Sequence, residues 1–75
     1  MTDKEWKDLC KWAKSLDRKE LTLTPLFIGN CIELYIEETK IFLTFYASGM
    51  FCADGKTIVK NLKAEQIKAI ITNLL

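Results

Sequence analysis

The chain reads as a two-layer α+β domain: an N-terminal helix, a four-stranded antiparallel meander and a C-terminal helix. Three observations predict this. Apolar residues recur at three and four near both ends of the sequence. Between the ends, apolar and polar residues alternate in short runs. Those runs are separated by glycine- or polar-rich dipeptides suited to tight turns. All 75 residues fit one such domain, near the lower end of what folds alone.

Residues 3–17 form the first helix. Thr2 and Glu5 have the spacing of a capping box, in which the Thr oxygen accepts a backbone N–H and the Glu reaches back. Trp6, Leu9, Cys10, Ala13 and Leu16 make one apolar stripe, with Trp12 at its rim. Lys4, Lys7, Lys11, Lys14 and Arg18 fall on the opposite side, interleaved with Asp3, Asp8 and Asp17. A solvated helix face accounts for that pattern; an anion or nucleic-acid ridge over Lys7, Lys11, Lys14 and Arg18 is the sharper alternative.

The first strand is expected over 21–28. Pro25 cannot donate to a ladder, so the strand belongs at a sheet edge. Gly29-Asn30 is taken as a two-residue hairpin turn, followed by a strand over 31–37. Glu38-Thr39 is the second tight turn, followed by a third strand over 40–47. Ser48-Gly49 is expected to mark a bulge or corner, with the pattern continuing through Ala53. Asp54-Gly55 carries the strongest hairpin chemistry in the chain, and Lys56–Lys60 returns as the last strand. Leu62, Ile67, Ile70, Ile71 and Leu74 then line one face of a closing helix, with Asn61 as its expected cap.

Two-residue loops fix cross-strand partners. Around Gly29-Asn30, Ile28 would face Cys31, Phe27 would face Ile32, Pro25 would face Leu34 and Leu23 would face Ile36. Around Glu38-Thr39, Ile36 would face Ile41, Leu34 would face Leu43 and Ile32 would face Phe45. Both turns agree on one apolar face: Leu21, Leu23, Phe27, Ile32, Leu34, Ile36, Ile41, Leu43 and Phe45. That face should receive both helices. Left over are Leu26, Ile28, Cys31, Tyr35, Phe42 and Tyr46, with Thr22, Thr24, Glu33, Glu37, Lys40 and Thr44 around them. Aromatic residues on a face expected to be solvated can mark an interface. The plainer readings are ordinary hairpin pairing or a helix packed on that side.

Composition narrows the chemistry. There is no histidine, which removes the commonest general base and metal ligand. Cys10, Cys31 and Cys52 are widely spaced and odd in number, so neither a zinc motif nor a disulfide framework is signalled. Eleven basic and ten acidic residues leave a net charge of +1, giving no bulk attraction to nucleic acid or an anionic membrane. The charged start and short apolar runs suggest no signal peptide or membrane span, hence a cytoplasmic protein, or one in a host cytoplasm if phage-encoded.

The expected function is therefore non-enzymatic and cofactor-free, without metal. The chain would be a small protein-interaction module working through Leu26, Ile28, Tyr35, Phe42 and Tyr46. Its partner would be another protein or a second copy in a homodimer, with an inhibitor or adaptor of phage or mobile-element origin as one form. The alternative is a binder of a small nucleotide or nucleic acid by stacking on Tyr35 or Tyr46. Glu33 and Glu37 on the same face oppose phosphate.

Overall fold

A computed structural model describes residues 1–27 and 29–75. Among the described residues the elements are α1 (Asp3–Ser15), β1 (Leu21–Pro25), β2 (Asn30–Ile36), β3 (Ile41–Phe45), β4 (Phe51–Ala53), β5 (Lys56–Val59) and α2 (Ala64–Leu74). The five strands form one antiparallel sheet in sequence order. This is the expected α+β architecture, with five strands in place of four.

The capping box opens α1 as the spacing dictates. Thr2 Oγ1 accepts the Glu5 backbone N–H at 3.1 Å, and a Glu5 carboxylate oxygen accepts the Thr2 N–H at 2.9 Å. Trp6, Leu9, Cys10 and Ala13 are buried. At the other end, Asn61 does not cap α2. It takes a left-handed φ of 61° that turns the chain, and Lys63 precedes the helix instead. The Gln66 side chain accepts the Lys63 N–H at 2.8 Å, satisfying one donor.

The core lies between the helices and one face of the sheet. Ile32, Leu34, Leu43 and Phe45 pack with Trp6, Leu9, Ile67 and Ile71, and Leu21, Leu23, Ile36 and Ile41 pack around them in part. The expected apolar face is thus the covered face, except at Phe27. The β2–β3 register also stands as read, with Ile36 opposite Ile41, Leu34 opposite Leu43 and Ile32 opposite Phe45.

The first hairpin differs. Leu23 pairs with Ile32 and Leu21 with Leu34, and the ladder ends at Pro25 opposite Asn30. Leu26 N–H donates to the Gly29 carbonyl at 2.8 Å. Pro25 is tolerated because β1 is an edge strand, and Gly29 supplies a φ of 76°. The partners are displaced by four residues relative to a Gly29-Asn30 turn. An even displacement preserves which face each side chain occupies, so Leu21 and Leu23 stay on the core side. Phe27 leaves the sheet and is fully exposed. Ile28 lies outside the described residues.

The segment over 48–49 is a reversal and not a bulge. Tyr46 N–H donates to the Met50 carbonyl and Gly49 N–H to the Tyr46 carbonyl, so β4 folds back on β3. Gly49 has a φ of 89°, and a Cβ there would stand 2.7 Å from the Leu62 carbonyl oxygen. Only glycine fits this close approach. The Asp54-Gly55 hairpin forms as expected, with φ positive at both residues (50° and 81°), as a type I′ turn requires.

Candidate functional site

With both helices on the core side, the opposite sheet face carries the expected aromatic pair. Tyr35 and Phe42 are register partners, their ring centroids 4.7 Å apart and tilted by 42°. Neither joins the core cluster. Phe42 keeps 50% of its surface exposed, while Tyr35 and Tyr46 are half-buried. Tilted rings at this separation attract through their quadrupoles as well as through burial.

Behind the pair the face becomes denser. Cys31 and Cys52 are buried to 3% and 5% exposure. Cys52 Sγ lies 3.7 Å from Thr57 Oγ1, which in turn reaches Met50 Sδ at 3.6 Å. Burial pushes the Tyr46 phenol up, and Cys52, Cys31 and Glu33 nearby act in the same direction. Glu33 is held by the Thr24 hydroxyl. Burial also raises the Cys31 thiol, with Glu33 adding to it. Cys31 is thus a buried thiol packed within this face.

Not all of the expected surface assembles. Tyr35, Phe42 and Tyr46 share one side of the sheet. Leu26 follows β1 in the connection to β2, is exposed, and donates its N–H to the Gly29 carbonyl. Ile28 falls outside the described residues.

Lys7, Lys11 and Lys14 are exposed on α1, and so lie across the sheet from Tyr35 and Phe42. Arg18 follows the helix and forms an ion pair with Glu20 at 2.5 Å. The α1 lysines and the rings therefore occupy different sides of the molecule, whereas Arg18 lines one shallow hollow with Glu20, Tyr35 and Glu37. Lys68 Nζ sits 5.4 Å from the Trp12 ring centroid, tying α2 to the rim of α1.

Two surface hollows border α1. One of about 390 Å³ is lined by Ala13, Lys14, Asp17, Arg18, Leu21 and Leu23. Another of about 440 Å³ is lined by Asp3, Trp6, Lys7, Cys10, Asn30 and Ala47. Cys10 reaches the second, and burial raises its thiol. Among the described residues no group of three or more Cys, Asp or Glu side chains is placed to hold a metal ion. No helix among them is long and apolar enough to cross a membrane.

Sequence reasoning missed Ile58 and Val59, which stand exposed on β5. The signal was available: the last strand of a meander is an edge, and here an apolar pair is bracketed by Lys56 and Lys60.

Comparison of the chain with protein-family models, with curated proteins and with solved structures finds no match.

Proposed function

We propose that this chain is a non-catalytic protein-interaction module whose contact surface centres on Tyr35 and Phe42, with Tyr46 farther along the same face. The observation that supports this is the paired rings on the sheet face turned away from both helices. Exposed aromatic anchors surrounded by polar side chains are the residues that most often carry binding energy between proteins. Thr22, Thr24, Glu33 and Thr44 supply that polar surround. The partner is a second copy or another protein. The stacking alternative is weaker, because Glu33 shares the face while the exposed lysines of α1 lie across the sheet from it.

The test is the double substitution Tyr35→Ala with Phe42→Ala. The variant should keep its far-UV circular dichroism spectrum. The parent chain should show either a concentration-dependent mass in sedimentation velocity or proteins retained on the immobilised chain, and the variant should lose it. If both measurements match those of the parent chain, the face is not a contact surface.

A further inference from the structure

The two edges of the sheet are not alike. On β1 the edge donors are reduced: Leu21 N–H is taken by the Arg18 carbonyl at 3.1 Å, and Pro25 has no N–H to offer. β5 is paired to β4 on one side only. Its outer edge therefore presents backbone N–H and C=O groups with no strand partner. All four of its residues are exposed, Ile58 at 57% and Val59 at 40%.

The charges around this edge select among occupants. Lys56 opens the strand and Lys60 follows it, both exposed, with Lys63 exposed just beyond. A second copy pairing antiparallel about Ile58 would set Lys56 against Lys60 twice, and an in-register parallel copy would set each lysine against itself. Like charges directly opposite are destabilising. Asp54, the nearest carboxylate in sequence, is engaged: its Oδ1 accepts the Phe42 N–H at 3.1 Å. Lysines are also a common protection of edge strands against self-pairing. Here that same protection leaves the edge complementary to a strand of opposite charge.

We propose that the free edge of β5 takes an extended segment of a partner protein by β-strand addition, a segment with apolar residues flanked by acidic ones. Backbone hydrogen bonds would extend the sheet. The partner's apolar side chains would cover Ile58 and Val59, and its carboxylates would meet Lys56 and Lys60. This site is separate from the Tyr35–Phe42 face, and its variants leave that face untouched.

The probe is a fluorescein-labelled peptide of sequence Glu-Thr-Val-Thr-Val-Thr-Glu, titrated with the full chain and read by fluorescence anisotropy. Two controls accompany it: a variant with proline in place of threonine, and a version with lysine in place of glutamate. Expected is saturable binding of the acidic peptide alone. Lys56→Glu with Lys60→Glu should weaken it roughly tenfold or more and transfer binding to the lysine peptide. Lys60→Glu alone, outside the strand, should give a smaller loss in the same direction. Equal binding of the proline variant would reduce the effect to bulk charge and overturn the proposal, as would the absence of saturation up to about 1 mM. A doubled mass of the protein alone, abolished by Ile58→Lys, would assign the edge to a second copy and overturn it equally.

Discussion

Glu5 shows how much one side chain can do at a helix start. Its carboxylate accepts the Thr2 N–H while its own N–H is held by Thr2 Oγ1, so two donors that α1 cannot satisfy internally are partnered. The backbone hydrogen bond from Thr2, and then the Thr2 hydroxyl, hold the Glu5 carboxyl below its ordinary range. The sign follows from linkage. A carboxylate with a depressed folded pKa contributes stability above its unfolded value, near 4.3, and that contribution fades as pH falls through the lower folded value. Glu20 behaves in the same sense through its hydrogen bond to Arg18, so the acid slope is shared. Glu5→Gln keeps an acceptor but cannot titrate. Its melting temperature should lie below the parent's at pH 7 and converge on it as pH drops below about 4. A constant gap across that range would show that the capping carboxylate does not contribute through its charge. Thr2→Ala, which removes the other half of the box, should cost about 1 kcal/mol.

At the scale of elements, the turns decide how much could be read in advance. Asp54-Gly55 and the β2–β3 connection were legible because the chemistry or the flanking alternation left one register open. The β1–β2 connection was not. Gly29-Asn30 has the residues of a two-residue turn, but the chain reverses earlier, through a longer connection over 26–29 that the Leu26 N–H closes onto the Gly29 carbonyl. Gly49 looked like a bulge glycine, because a glycine's need for positive φ does not say whether the chain bends or reverses. What separates the two is the Leu62 backbone pressed against Gly49, a partner thirteen positions away that no local pattern reveals. The displaced hairpin has a measurable consequence at Phe27. Had the strand run to residue 28, Phe27 would sit opposite Ile32 in the core, and truncating it would cost about 3–5 kcal/mol. Fully exposed as it is, Phe27→Ser should change stability by no more than about 0.5 kcal/mol in urea unfolding. A loss of several kcal/mol would mean the shorter turn is the real one.

For the molecule as a whole, the separation of two sheet faces is what the candidate site depends on. That separation was readable from period-two alternation, and it survived the error in the first hairpin because the displacement was even. Which residues on the open face are exposed was not readable. Cys31 and Cys52 lie there yet are nearly inaccessible, since small side chains sink between larger neighbours, whereas Phe42 stands clear. The two phenylalanines of β3 make the comparison sharp. Phe45 is 0% exposed, stacked on Phe51 at 4.8 Å and packed in the core beneath the helices. Phe42, three residues earlier, faces the other way and touches Tyr35. A chain of 75 residues has a total stability of only about 4–11 kcal/mol. Phe45→Ala should cost about 3–5 kcal/mol, a large share of that total. Phe42→Ala forfeits the ring pairing and part of its burial, about 1–1.5 kcal/mol, and should stay folded. Chemical denaturation monitored by circular dichroism measures both. If the two losses were equal, the open face would be as tightly packed as the core, and a surface held together by its own packing has no rings to spare for a partner.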